Sequence, residues 1–140
     1  MADAPRVIVA HNLVHMREAH AIAKELGAKL WLQTATGALR FAGAEYLLTT
    51  FRKAHALYPD VDASLILQCD DAGAETIHAM RSGHTHIRTQ APEPTRSKLV
   101  NIAQQLGVQV MEGEYKALDL QFEYDVRKAC RNWLSANDSA

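Results

Sequence analysis

The alternation of short apolar runs with helix-like segments constrains the fold of this chain more than any other feature of its sequence. Five strand-like runs occur, at 6–10, 29–33, 65–67, 85–89 and 108–111. A strand followed by a helix, repeated along the whole chain, predicts a parallel sheet covered by helices. The chain has 140 residues, which suits one such domain and is too short for a closed barrel of eight strand–helix units.

The segments between these runs carry apolar residues at intervals of three and four, which is typical of amphipathic helices. The first helix is predicted from the stripe formed by Leu13, Met16, Ala19, Ala23 and Leu26. The last is predicted from the stripe formed by Phe122, Val126, Ala129, Cys130 and Trp133. Gly27 and Gly107 follow two of the predicted helices, where a helix end favours a residue that accepts positive φ.

We expect a single three-layer α/β/α domain over residues 1–140, with a five-stranded parallel sheet and a frayed tail at 135–140. Crossovers between parallel strands are right-handed, and five strands suit an open doubly wound sheet. The expected strand order is 2-1-3-4-5, as in flavodoxin-like folds.

The coarse layout resembles that of response-regulator receiver domains. That family carries an acidic pair after the first strand, an aspartate after the third, threonine or serine after the fourth and lysine after the fifth. The corresponding positions here are His11-Asn12, Asp70, Thr89 and Glu112. The resemblance implies a similar fold, and the departures at the acidic pair and at the lysine argue against phosphoacceptor activity.

The composition is that of an ordinary globular protein, with 48% apolar and 22% charged residues and a net charge of -1. The basic residues are scattered, so no nucleic-acid partner is expected. No apolar run approaches the roughly 18 residues of a membrane span, so no membrane partner is expected. Cys69 and Cys130 belong to no C-x-x-C pair, which predicts reduced thiols in a cytoplasmic protein.

The candidate site follows from a rule for open parallel sheets, which bind ligands outside the carboxyl ends of their strands. The residues selected for a small polar or anionic ligand are His11, Asn12, His15, Thr34, Thr36, Asp70, Asp71, Arg88 and Thr89. In the order 2-1-3-4-5 the first and third strands are neighbours. His11 and His15 would then face segment 69–71.

Seven histidines are present, and two of them fall at this edge. His11 and His15 lie four residues apart, which places both on one face of a helix. With Asp70 they form a candidate metal site, because imidazole and carboxylate suit zinc or a similar transition metal. The alternative is that Asn12 caps the helix and both imidazoles are solvated or hydrogen-bonded.

The other polar residues have two interpretations each. Asp70 and Asp71 either cap the third helix or act in catalysis. Cys69 is either a buried strand-end thiol or a nucleophile with a neighbouring histidine as its base. The remaining histidines are predicted as a surface pair, His84 and His86, and as solvated or half-buried helix residues, His20, His55 and His78. The glycines form no dinucleotide or P-loop motif, and the cofactor stays open.

Three functions remain open. The first is a non-catalytic ligand-binding or regulatory module, which is favoured because no complete catalytic set is present. The second is a small metal-assisted or acid/base enzyme, with His15 or Asp71 as the general base. The third is a self-associating structural protein, a possible homodimer, whose patch would be formed by Phe122, Tyr124 and Trp133 or by Tyr46 and Phe51.

Overall fold

The computed structural model describes residues 4–136, which form a six-stranded, entirely parallel sheet with helices between the strands. The strands are β1 (Val7–Ala10), β2 (Leu30–Thr34), β3 (Ala63–Gln68), β4 (His86–Arg88), β5 (Gln109–Val110) and β6 (Ala117–Asp119). The predicted α/β class and the parallel sheet are therefore confirmed. No helix among the described residues is long and apolar enough to cross a membrane.

The helices lie where the apolar spacing predicts them, with differences near the end of the chain. They are α1 (Leu13–Leu26), α2 (Ala38–Ala42), α3 (Ala44–Leu57), α4 (Ala74–Arg81), α5 (Thr95–Leu106) and α6 (Val126–Ser135). Phe122 belongs to a short 3₁₀ helix, Leu120–Phe122, and not to the last α-helix. The predicted frayed tail begins too early, because Ser135 is the last residue of α6. Its positions 137–140 lie outside the described residues.

The strand order is β5-β4-β3-β2-β1-β6, so the predicted five strands in the order 2-1-3-4-5 are wrong. β1 pairs with β2 on one side and with β6 on the other, and Val9 lies opposite Gln33 and Asp119. β2 separates β1 from β3. The resemblance to flavodoxin-like and receiver folds therefore ends at the α/β class.

The helices pack on one face of the sheet, which we call the helix face. The strand residues in the two apolar clusters are Ile8, Ala10, Leu30, Leu32, Ala63, Leu65, Leu67, Ile87, Val110 and Leu118. These residues alternate along their strands and share a register, so they point to the same side. From β1 to β5 the strands step in one direction, and right-handed crossovers then place the intervening helices on one side. Over residues 4–136 the third layer of the prediction is therefore wrong.

The opposite face carries the polar residues Gln33, Gln68 and Arg88 together with the fully buried Val7 and Ile66. We call it the strap face, because segment 111–116 (the strap) crosses it between β5 and β6. The phenol of Tyr115 donates to Oε1 of Gln33 at 2.6 Å. The guanidinium of Arg88 donates to the carbonyl of Gly113 at 2.8 Å and lies 4.3 Å from the centre of the Tyr115 ring. These contacts fix the strap to the sheet.

The length of the strap explains why this face has no helix of its own. β5 and β6 form opposite edges of the sheet, and five strand spacings amount to about 24 Å. Seven Cα–Cα steps join Val110 to Ala117, and fully extended they reach about 23–25 Å. The connection therefore has to cross directly, with no length left for a helical turn.

Two histidines expected near the surface are fully buried in the helix layer. His20 is 0% exposed, and its Nδ1 donates to the carbonyl of Met16 at 2.8 Å. His84 is 2% exposed, and its Nε2 donates to the carbonyl of Ala44 at 2.8 Å. Burial lowers the pKa of both imidazoles. The predicted surface pair is therefore wrong, since His86 is also half-buried, with its ring edge-on to Trp31.

Candidate functional site

The carboxyl end of β1 turns into α1 through His11 and Asn12. Asn12 adopts an extended backbone, and its Oδ1 accepts from the backbone N–H of His15 at 2.8 Å. The predicted helix cap is therefore confirmed. The same turn brings Nδ1 of His15 to the backbone N–H of His11, at 3.0 Å. His15 thus acts as an acceptor at Nδ1, which leaves its proton on Nε2 when the ring is neutral.

His11 is held by a carboxylate from the neighbouring strand. Because β6 pairs with β1, Asp119 lies opposite Val9, and its Oδ1 accepts from Nε2 of His11 at 2.6 Å. The same carboxylate oxygen accepts from the backbone N–H of Gln121 at 2.9 Å. A carboxylate bound to one ring nitrogen fixes the tautomer and leaves Nδ1 of the neutral imidazole as an acceptor.

The two imidazoles form a small cluster with this carboxylate. Their ring centres are 5.8 Å apart, and the rings are almost perpendicular. Partial burial lowers the pKa of His15, the charge of His11 lowers it further, and the carboxylate of Asp119 opposes both effects. Two adjacent imidazoles at the carboxyl edge therefore have different roles, since His11 is oriented by a carboxylate and His15 supports the backbone.

A recess of about 90 Å³ adjoins this cluster. That volume equals the share of roughly three water molecules in the liquid. The recess is lined by Ala10, His11, Asn12, Met16, Ala35, Ala38, Tyr46, Leu47 and Thr50. Its walls are thus mostly apolar, with polar groups from His11, Asn12, Tyr46 and Thr50. The hydroxyl of Thr50 donates to the carbonyl of Tyr46 at 2.8 Å, so it presents an acceptor to other groups.

Exposed aromatic side chains follow β2 and β6, the two strands that pair with β1. Phe41 and Tyr46 follow β2 and are 96% and 64% exposed. Phe122 and Tyr124 follow β6 and are 83% and 104% exposed. By contrast, Phe51 and Trp133, which were predicted in the self-association patches, are partly buried against the core.

Segment 69–71 does not face the two histidines, because β2 lies between β1 and β3. Oδ2 of Asp70 accepts from the backbone N–H of Gly37 at 2.8 Å, and Asp71 pairs with Arg40 at 2.9 Å. Both carboxylates therefore bind the start of α2. The predicted cap of the third helix is wrong, since Gly73 occupies the N-cap position of α4 and no side chain caps it.

The metal site predicted from His11, His15 and Asp70 is not assembled. No group of three or more His, Cys, Asp or Glu side chains is arranged to hold a metal ion within residues 4–136. Cys69 is not placed as a nucleophile either, because burial raises its pKa to about 11 and its Sγ donates to the carbonyl of Leu67. Its interpretation as a buried strand-end thiol is confirmed.

The remaining predicted ligand residues serve the fold. Oγ1 of Thr34 accepts from the backbone N–H of Gln68 at 2.9 Å, and Oγ1 of Thr89 accepts from that of Ala91 at 3.1 Å. Both threonines are buried, whereas Thr36 is exposed. Arg88 is held by the strap. Of the nine predicted residues, the structure brings His11, Asn12 and His15 into one hydrogen-bonded cluster.

Asp119 was not predicted as a site residue, and Tyr46 was predicted only as part of an interaction patch. Asp119 lies 108 positions from His11, and no spacing motif joins them. Its sequence signal is the placement of a carboxylate between Leu118 and Leu120, where an alternating strand would end. Tyr46 was predicted as part of an interaction patch, and its place in the recess depends on the turn between α2 and α3.

No protein-family model matches the chain, and no curated protein shows significant sequence similarity to it. The geometry of the His11 cluster is therefore the basis for a proposed function.

Proposed function

We propose that the chain is a binding module that holds a small, uncharged polar group in the recess beside His11. The observation that carries this proposal is the bond between His11 and Asp119, at the carboxyl edge where parallel sheets place ligands. The bond orients an imidazole at the wall of a preformed, mostly apolar recess. The recess is smaller than a whole small-molecule site, so it admits one polar group of a ligand whose remainder lies outside it.

The charges around the recess favour an uncharged ligand over an anionic one. Among the lining residues, His11 alone can carry a positive side-chain charge, and the carboxylate of Asp119 lies 2.6 Å from its Nε2. Arg40 of α2, the helix that follows β2, is already paired with Asp71. An anion entering the recess would lose its hydration without gaining an unpaired cation, which is costly. An amide or hydroxyl group meets no such cost.

The ligand also presents a ring or another flat apolar surface. Tyr46 lines the recess and is 64% exposed, so a group seated beside His11 lies against the tyrosine ring. Aromatic rings provide a large contact area at a low cost in side-chain entropy. The recess itself admits only a few atoms, so the ring stays outside it. A planar amide is the simplest compound of this class.

Benzamide, benzoate and benzylamine test this proposal, because they share a ring and differ in the charge of one substituent. We expect benzamide to shift the amide NMR signals of Ala10, Asn12 and Thr50 at lower concentration than either charged compound. His11→Gln should weaken benzamide binding about fivefold, the loss of one hydrogen bond.

His78→Gln is the matched control, because His78 is exposed on α4 and does not line the recess. It should leave the titration unchanged. Equal binding of benzoate, or shifts spread over residues far from β1, would remove the basis of the proposal.

A second candidate function is acid–base catalysis by the same pair. Asp119 orients His11 so that Nδ1 of the neutral ring can accept a proton, and such a base contributes about 10²–10⁴-fold to a reaction rate. His15 and Asp71, the bases predicted from the sequence, are occupied by the His11 N–H and by Arg40.

Hydrolysis of p-nitrophenyl acetate separates catalysis from binding alone. If His11 is a general base, both His11→Gln and Asp119→Asn should lower the rate at least tenfold, the lower range of such effects. His78→Gln reports the background from exposed imidazoles. If all three variants hydrolyse the ester at the same rate as the unmodified chain, the catalytic function is excluded and the binding proposal is unaffected.

A further inference from the structure

A second cavity lies at the opposite edge of the sheet, where β1 and β6 begin. Its volume is about 440 Å³, within the range of small-molecule sites. The lining residues are Ala4, Pro5, Arg6, Glu114, Tyr115, Lys116 and Trp133. They come from the segment before β1, from the strap and from α6. The cavity is therefore distinct from the recess beside His11.

Among the residues of the strap, Glu114 and Lys116 line this cavity on either side of Tyr115. The phenol of Tyr115 is bound to Gln33 on the sheet. Residues 114–116 form no helical turn, and Glu114 and Lys116 are both exposed residues of the cavity wall. Neither of them forms a hydrogen bond or an ion pair with any residue of the 4–136 range. Two opposite charges of the cavity wall are thus unpaired.

The spacing of these two charges fits a ligand that carries both signs. Residues two apart in an extended chain have Cβ atoms roughly 7 Å apart. Charge-assisted contacts are about 2.8 Å long. A molecule whose ammonium and carboxylate groups are attached to one carbon can therefore contact Glu114 and Lys116 together. A simple anion would meet repulsion from Glu114, and a simple cation would meet Lys116.

The other wall of the cavity is aromatic. Trp133 lines it, with the guanidinium of Arg6 5.2 Å from the centre of the indole ring and donating to the Trp133 carbonyl at 3.3 Å. This stacked pair forms a flat, polarisable surface beside the two charges. Aromatic walls favour ligands with a ring of their own.

We propose that this cavity is a binding site for a ring-bearing zwitterion, a small α-amino acid with an aromatic side chain. Its carboxylate contacts Lys116, its ammonium contacts Glu114, and its ring lies beside Trp133. The site is independent of the proposed function at His11, because no residue lines both cavities.

L-Phenylalanine and two derivatives test the assignment. N-Acetyl-L-phenylalanine lacks the ammonium, and L-phenylalanine amide lacks the carboxylate. We expect L-phenylalanine to shift the backbone amide signals of Arg6 and Lys116 and the indole signal of Trp133. It should bind about fivefold more tightly than either derivative, because each derivative loses one exposed ion pair. L-Alanine, which has no ring, should bind more weakly than L-phenylalanine.

Two charge-neutralising variants assign the contacts one by one. Lys116→Gln should remove the preference for L-phenylalanine over its amide and keep the preference over the N-acetyl derivative. Glu114→Gln should do the reverse. Both positions are exposed, and far-UV circular dichroism checks that both variants fold. His78→Gln, which changes a residue of neither cavity, should leave all three affinities unchanged.

The proposal is overturned if no ligand gives saturable shifts at Arg6, Lys116 and Trp133. It is also overturned if each variant weakens all three ligands equally, which would show a structural effect in place of two specific contacts.

Discussion

The two faces of the sheet are covered through different kinds of interaction, although the same strands form both faces. On the helix face, Leu30 and Leu32 of β2 are fully buried beneath the helices. On the strap face of the same strand, Gln33 is bound by the phenol of Tyr115, and Trp31 lies under the ammonium of Lys29, 4.5 Å from the ring centre. The helix face depends on buried apolar area, whereas the strap face buries Val7 and Ile66 and adds directed contacts at its polar residues.

This difference has a thermodynamic consequence. Burial of a large apolar side chain contributes about 1.5–3 kcal/mol, and it does not depend on one partner. A single hydrogen bond contributes about 0.5–1.5 kcal/mol and is lost when either partner is removed. We therefore expect the helix face to set the global stability, and the strap face to allow local changes that leave the fold intact.

Leu32→Ala should give the largest effect. Leu32 is 0% exposed and lies in the cluster beneath α1 and α3, so its truncation leaves a cavity that the helices cannot fill. We expect the free energy of unfolding to fall by about 2–5 kcal/mol. Urea denaturation followed by circular dichroism measures it.

Gln33→Ala is the matched change on the strap face, one residue further along β2. It leaves the half-buried phenol of Tyr115 without its acceptor, and a loss of about 1 kcal/mol is expected. If the two substitutions cost the same, the distinction between the faces is wrong.

Acid should destabilise the helix layer through its buried histidines. Burial lowers the pKa of His20 and His84 from the usual value of 6.5, so the folded state holds both rings neutral. Below about pH 6.5 the unfolded chain binds protons that the folded chain does not. Stability is therefore complete above that pH and falls as the pH is lowered toward the depressed pKa values. Urea denaturation at about pH 7.5 and about pH 5.5 measures the loss.

His20→Leu and His78→Gln identify the group responsible. Protonation of His20 would place a charge among Phe51, Tyr58 and the ring of His55, whose Nδ1 lies 3.3 Å from Nε2 of His20. His20→Leu should reduce the difference in stability between the two pH values, whatever it does at neutral pH. The exposed His78→Gln should reproduce the unmodified chain, and an undiminished difference in His20→Leu would exclude His20 as a source.

The fold was predictable where local patterns determine it. The apolar stripe from Leu13 to Leu26 predicts α1, and the run of β-branched residues at 7–9 predicts β1. β6 was missed because Ala117–Asp119 is three residues long and gains its strand conformation from pairing with β1. The strand order was missed because pairing is decided by contacts distant in sequence.

A signal for the single helix layer was nevertheless present. Gln33, Gln68 and Arg88 each follow or precede an apolar residue in alternation, which is typical of strands with one apolar and one polar face. A strand covered by helices on both sides would carry apolar residues at these positions. The continuous apolar runs of β1 and β3, in which Val7 and Ile66 are buried on the strap face, hid this alternation.

The candidate site was predictable in part. The rule about carboxyl strand ends selects His11, Asn12 and His15, and these three form one hydrogen-bonded cluster. Asp119 could not be assigned to them, because it reaches His11 only through the position of β6 beside β1. The segment 69–71 was assigned to the same site through a strand order that the structure does not have.

Tyr115→Phe gives the smallest expected effect and tests the strap face without creating a cavity. It removes the hydrogen bond to Gln33 and keeps the ring that stacks on Arg88, so a loss of about 0.5–1.5 kcal/mol in the free energy of unfolding is expected. Because the bond is local, hydrogen exchange should quicken in the strap and in the neighbouring end of β2 before it changes in α1. Tyr124→Phe is the control, since that phenol is fully exposed and forms no hydrogen bond among residues 4–136. Uniformly faster exchange in Tyr115→Phe would mean that the strap contributes to the core, and that the two faces are held together as one unit.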